Sequence, residues 1–315
     1  MNRSGLAWNK LLFIFLPFRG KLIRAMRKPK ILKTFLMKKF LPVTLFIAIF
    51  SATVAQSQTT SDSSELPKKI KPHPSPSPTS KKGIGVGAKP ISGAEVLIDG
   101  SRKTLDEKWT YWEGPRFGSS LPIKWKIVND PVDSGSALLT DDPAAAGGKY
   151  GAADIVTKKA YRDFRLHIEF LVMNEHGNSG VYLQNRYEIQ ICDGDKTSHG
   201  MGAVINESDS PYHAYFGLRK WNAYDINFRA ARFKDGKLVE KPLVTMYFNG
   251  VKVHINRSIS QVWGGPNSGI DGGNDGGKGI TDVPGGLKLQ CEGHDVRFRN
   301  TWIKEINLKK AETDF

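Results

Sequence analysis

In the stretch 177–194, GNSGVYLQNRYEIQICDG, a carboxylate and an amide stand two residues apart, at Glu188 and Gln190. Side chains alternate along a strand. If 187–192 is a strand, Tyr187, Ile189 and Ile191 share one face while Glu188, Gln190 and Cys192 share the other. A carboxylate beside an amide on a sheet face can take a proton and hold hydroxyl groups. The same face can equally be plain solvated surface. Further polar groups recur at strand-like positions: His167 and Glu169 within 164–173, Asn178 before the hairpin, Gln290 in GGLKLQ, and Arg299 near the C-terminus. Glu188 and Glu169 are the candidate acid–base residues. Asn178, Gln190, Gln290, His167 and Arg299 are the candidate ligand contacts. The structural alternatives are that Glu169 pairs with a sheet arginine and that Arg299-Asn300 ties the last strand to its neighbour.

The elements that must position these groups are short strands. A hairpin is expected from 181–184 and 187–192 with a tight Asn185-Arg186 link. Phe164, Leu166, Ile168, Phe170 and Val172 give five apolar residues at period two, with Arg165, His167 and Glu169 on the other side. Asn249-Gly250 between two apolar runs signals a two-residue hairpin turn. Other strands are expected at 95–98, 123–128, 137–140, 155–158, 202–205, 224–229, 243–248, 251–255, 287–291 and 296–303. No ten-residue stretch has convincing helical periodicity. Many short strands with frequent turn residues predict an all-β, antiparallel jelly-roll sandwich over 91–315.

The net charge of +15 invites a nucleic-acid or membrane reading, but its distribution argues against one. Residues 1–39 hold eleven Lys/Arg and no acid, and 56–90 hold six Lys against two acids, which accounts for the whole excess. The rest is balanced, so no nucleic-acid partner is expected. Met37-Lys38-Lys39, the apolar run 40–50 and the small residues 51–55 read as a signal peptide (37–55), after a basic leader (1–36) that can lie upstream of the true start. The apolar run is short for a membrane span, so export to the periplasm or outside is expected, with no stable span after cleavage. Residues 56–90, rich in Ser, Pro, Lys and Gly, read as a disordered linker. Cys192 and Cys291 fall on opposite kinds of face, which makes a bridge between them awkward. No zinc spacing is present. In the glycine-rich 264–286, the oxygens of Asp271, Asn274, Asp275 and Asp282 could hold calcium, although turn chemistry explains them as well.

Read together, DIVTKKAYRDF, DFRLHIEF, NSGVYLQNRYEIQICDG, GAVIN, KWNAYDINFRAARF, VTMYFNGVKVH and GGLKLQCEGHDVRFRNTWIKEI resemble, in order, the 3-keto-disaccharide hydrolase domain. The resemblance covers roughly 91–315. It implies a concanavalin-like, laminarinase-like jelly roll and an exported bacterial protein acting on sugars oxidised at carbon 3. Glu292 stands where the family usually has His, and His294 falls two residues late. Gln184 stands where many members have Arg, with Arg186 nearby.

Laminarinase-like enzymes of this fold carry Glu-x-Asp-x-Glu on one strand. Here the strand reads Glu188-x-Gln190-x-Cys192, so the local carboxylate pair of an ordinary glycosidase is missing. A 3-keto sugar needs less. Its ketone acidifies the proton on carbon 2, one base removes it, and the glycosidic oxygen leaves by elimination before water adds. The expected protein is therefore a 3-keto-glycoside-cleaving enzyme with Glu188 as base. Its substrate is a glycoside or oligosaccharide made by a separate 3-keto-sugar-forming oxidoreductase. No cofactor is assigned; a divalent metal such as calcium is possible, and Glu188 is the site residue that could ligate one to polarise the ketone. The alternatives are a non-catalytic carbohydrate-binding module tethered to the envelope and a laminarinase-like glycoside hydrolase.

Overall fold

The computed structural model describes residues 84–112, 123–140, 153–210, 212–263 and 279–308. The expected leader, the signal peptide, most of the linker and Asp271, Asn274 and Asp275 lie outside these residues. Among the described residues no helix is long and apolar enough to cross a membrane. The strands are β1 (Glu95–Ile98), β2 (Trp109–Tyr111), β3 (Lys126–Asn129), β4 (Ser136–Leu139), β5 (Ile155–Thr157), β6 (Phe164–Val172), β7 (Asn178–Leu183) and β8 (Tyr187–Cys192). They continue as β9 (Trp221–Arg229), β10 (Arg232–Lys234), β11 (Lys237–Glu240), β12 (Leu243–Phe248), β13 (Val251–Ser258), β14 (Lys288–Leu289) and β15 (Val296–Glu305). One helix, α1 (Arg102–Lys108), is capped by the Ser101 side chain, which accepts from the Thr104 amide.

Two antiparallel sheets form the sandwich. The larger runs β13-β12-β9-β6-β15-β4-β3, with β1 also on β15; the smaller runs β2-β5-β14-β7-β8. The alternation read from the sequence sets what each face does. Leu166, Ile168, Phe170 and Val172 of the larger sheet and Val181, Leu183, Tyr187, Ile189 and Ile191 of the smaller one enter a single buried core. The ring centroids of Tyr187 and Phe228 lie 5.6 Å apart and join the two layers. Each fully buried side chain of this size contributes roughly 1.5–3 kcal/mol. The jelly-roll class is as the sequence implies.

β8 runs as expected, and Asn249 and Gly250 both adopt positive φ, as their two-residue turn requires. The hairpin before β8 is one residue longer than expected. Leu183 pairs with Tyr187, so the turn is Gln184-Asn185-Arg186, with Gln184 and Asn185 at φ 50 and 58. The strand expected at 202–205 is reduced to isolated bridges from Val204 to Ile189 and to Ser208. Cys192 and Cys291 are not joined in a disulfide, and Cys291 is in the core.

The expected linker 56–90 does not run free to its end. Residues 84–90 lie as a strap across the outer face of the larger sheet. The Gly85 amide donates to Asp225 Oδ2 at 2.7 Å and the Gly87 amide to Glu169 Oε1 at 2.6 Å. Both glycines have positive φ, a conformation open to glycine without a Cβ penalty. Beneath the strap, His167 bridges Asp225 (Nδ1–Oδ1 2.6 Å) and Glu169 (Nε2–Oε1 3.3 Å) and stacks on Trp302. A β-bulge at Asn300, whose φ is 38, breaks the alternation of β15. Two consecutive side chains therefore reach Glu169: Arg299 Nε at 2.8 Å and Asn300 Nδ2 at 2.7 Å.

Burial works against charge on His167, but hydrogen bonds to Asp225 and Glu169 outweigh it and push the imidazole up to about 9. Burial likewise opposes the charged form of Glu169, yet its donors hold the carboxyl below its usual range. The stability that His167 contributes is full below about pH 6.5 and is lost as pH rises through about 9. That of Glu169 is lost as pH falls below the ordinary carboxylate range. Calorimetric unfolding should therefore show the wild type losing stability between pH 6.5 and pH 9. His167→Gln should be less stable at pH 6 and lack that alkaline loss.

Candidate active site

The outer face of the smaller sheet is built by the residues that alternate with its core. The register places Val156, Lys288, Tyr182 and Glu188 side by side across β5, β14, β7 and β8. The next row carries Gln290, Gly180 and Gln190, since the Gln290 amide donates to the Gly180 carbonyl at 3.0 Å and Gly180 pairs with Gln190. Asn178 and Cys192 form the row beyond. Trp112 enters from the end of β2, its amide on the Asp154 carbonyl at 2.8 Å.

Glu188 is the centre of this face. The residue keeps partial exposure to solvent while its carboxylate is surrounded by protein. Burial raises its pKa; a hydrogen bond from Tyr182 and the charge of Lys288 pull it down; Asp154 and Glu292 push it up again, and the balance is about 7. Its titration near neutrality suits it to accept or return a proton. Gly180 leaves the space this arrangement needs: a Cβ there would sit 2.2 Å from Glu188 Oε1 and 3.0 Å from a ring carbon of Tyr182.

Around it, Gln290 Nε2 reaches the Tyr182 hydroxyl at 3.3 Å. Asn178 Oδ1 is buried without a hydrogen-bond partner among the described residues. Gln190 spends its Oε1 on the Ile191 amide at 3.0 Å, which fixes β8 more than it offers a ligand contact. Cys192 shares the face, but burial pushes its thiol up, and Asp195 and Asp193 add to the shift, so it is no ready nucleophile. Among the described residues no three His, Cys, Asp or Glu side chains gather to hold a metal ion. Asp282, one of the expected calcium oxygens, lies 3.6 Å from Arg162.

Of the seven residues singled out by sequence, Glu188, Gln190, Gln290 and Asn178 share this face. Glu169, His167 and Arg299 do not. They lie on the outer face of the other sheet, across the core, beneath the strap. Both oxygens of Glu169 are fully engaged there, and Arg299 is committed to Glu169, Asp130 and Asp133. The two candidate acid–base residues, Glu169 and Glu188, therefore lie on different sheets, and the structural alternative for Glu169 and Arg299-Asn300 matches the geometry. Alternation places a side chain on one side of its own sheet, but it does not say which sheet faces which. Tyr182, Lys288, Asp154, Glu292 and Trp112 were missed. Lys288 and Gln290 alternate with Leu287, Leu289 and Cys291, and that pattern was the available signal for a polar row.

Residues 93–304 match the family described as the 3-keto-alpha-glucoside-1,2-lyase-like domain. The chain belongs to this family. It is a carbohydrate-active, glycosyl hydrolase-like domain. A crystal structure from Parabacteroides distasonis, of a protein described provisionally as a glycosyl hydrolase, is 27% identical and covers 68% of this chain and 84% of that one, with a TM-score of 0.52. A second protein of that organism, with the same description, is 18% identical over 68% of this chain and 99% of that one, with a TM-score of 0.41. No curated protein matches the sequence.

Because the folded protein holds Glu188 above the ordinary carboxylate range, ionising it costs stability as pH rises through about 7. Glu188→Gln removes that cost. In urea unfolding it should be more stable than wild type at pH 8.5, by about 1–2 kcal/mol after allowance for partial exposure, and should gain nothing at pH 4.

Proposed function

We propose that this domain cleaves 3-keto-glycosides, with Glu188 as the base that removes the proton on carbon 2. The observation that carries the reading is a partly exposed carboxylate, poised near neutrality, on a sheet face that also carries Tyr182, Lys288 and the amides of Asn178, Gln190 and Gln290. Elimination needs one base and groups that stabilise an enolate. The C2–H bond breaks, its electron pair forms C1=C2, and the C1–O bond to the aglycone breaks. Glu188 takes the proton. Asn178 and Gln290 supply amides to the sugar hydroxyls or the enolate oxygen. Addition of water to the unsaturated sugar returns the 3-keto monosaccharide. Family membership supports the substrate class.

A second reading is ordinary hydrolysis by two carboxylates. It is favoured by Glu292, which is near enough to Glu188 to push up its pKa and is partly exposed. On that reading, Glu188 is the acid and Glu292 its partner. The N-terminal charge pattern supports a place outside the cytoplasm for either activity. A glycoside oxidised at carbon 3 and its unoxidised parent separate the two when aglycone release is followed. Release from the oxidised substrate alone is expected, falling about 10²–10⁴-fold in Glu188→Gln. Release from the parent alone, suppressed by Glu292→Gln, would replace this reading with the second. Release from neither would leave a sugar-binding module.

A further inference from the structure

Next to Glu188 lies a buried ion pair that the elimination reading does not use. Lys288 and Asp154 are both fully buried, with Nζ 2.5 Å from Oδ2. The second oxygen of Asp154 accepts the Cys291 amide at 2.9 Å. Burying two charges is costly even when they are paired. What Lys288 does touch is informative. Its ammonium lies 3.5 Å from the centroid of the Tyr182 ring and 5.8 Å from that of Trp112. Tyr182 stands directly opposite Glu188, both side chains crowd the space above Gly180, and its hydroxyl draws the carboxylate's pKa down while accepting from Gln290 Nε2 at 3.3 Å. Lys288, Tyr182 and Glu188 are lateral neighbours on three consecutive strands. The contacts therefore form one line, from a buried charge to the partly exposed Glu188.

We propose that Tyr182, with Lys288 packed against its ring, is the positioning residue that holds the Glu188 carboxylate oriented and ionised as a base. A phenol O–H donates to a carboxylate, so the bond favours the charged form and fixes one oxygen. A cation on the ring face draws on the ring's electron density and strengthens the O–H as a donor. Five groups act on Glu188 or sit near it: Tyr182 from β7, Lys288 from β14, Asp154 before β5, Glu292 after β14, and Cys192 on its own strand. Tyr182 and Lys288 favour the carboxylate; burial, Asp154 and Glu292 oppose it. Without the first two, nothing named here keeps the base ionised.

The name of the reaction rests on the proposed function, but the ionisation of Glu188 does not. The test has two readouts on the full chain. Infrared difference spectra, with Glu188→Gln as the blank, follow protonation of Glu188 without substrate. Steady-state cleavage of a 3-keto-glucoside gives kcat, KM and their pH dependence. Tyr182→Phe is expected to move the Glu188 titration and the acid limb of the rate profile upward together by about one unit. It should lower kcat about 10–100-fold with KM changed by less than about threefold. The neutral pair Lys288→Met/Asp154→Asn should move both in the same direction by less, and it checks the result should Tyr182→Phe unfold. An unmoved Glu188 titration in both variants overturns the proposal, whatever happens to kcat. If wild type cleaves no 3-keto-glucoside, the proposed function fails while the infrared titration still decides this inference.

Discussion

The rest of the structure depends on one constraint: every strand of a two-layer sandwich gives one face to the shared core and leaves the other facing out. Leu166, Ile168 and Phe170 take β6 into the core, so Arg165, His167 and Glu169 must lie outside. Val181, Ile189 and Leu289 do the same for the smaller sheet, so Tyr182, Glu188, Lys288 and Gln290 must line its outer face. Packing alone therefore creates two polar faces on opposite sides of the molecule. Chemistry has to be assigned to one of them by how its charges are satisfied.

The two faces satisfy their charges differently. On the larger sheet, His167, Asp225, Glu169, Arg299 and Asn300 close on one another, and the strap amides add further donors to both acids. Glu169 is held as a carboxylate and its oxygens are spent, so the cluster works as a clasp. On the smaller sheet the balance is left near its midpoint. Glu188 sits between groups that favour its charge and groups that oppose it, and Asn178 Oδ1 has no partner among the described residues. A group held close to neutrality on a face that keeps solvent contact is what proton transfer requires.

The sequence made the local geometry readable. Alternation placed Glu188 and Gln190 opposite Ile189 and Ile191, defined β8, and put Cys192 and Cys291 on different faces. The Arg299-Asn300 pair was recognisable as a strand tie, although the bulge that turns both side chains to Glu169 was not. What stayed hidden depends on long-range register. Nothing local says that Lys288 sits beside Tyr182, because that pairing joins segments more than a hundred residues apart. Nor does alternation reveal that β6 and β8 belong to different sheets, which is why Glu169 and Glu188 read as neighbours. The strap was hidden by composition: GIGVGAKP resembles a flexible tether until the buried carboxylates that take its amides are in place. Helix α1 was too short for a periodic signal.

The central claim is that Glu188 breaks the C2–H bond of an already oxidised sugar. The most direct measurement is the primary kinetic isotope effect on kcat/KM for aglycone release from a 3-keto-glucoside deuterated at carbon 2. A large normal effect, on the order of three or more, together with release slowed about 10²–10⁴-fold in Glu188→Gln would bear the account out; the size follows from breaking that bond in the rate-limiting step. Rapid cleavage with no isotope effect at carbon 2, and no deuterium lost to solvent from that position, would contradict it.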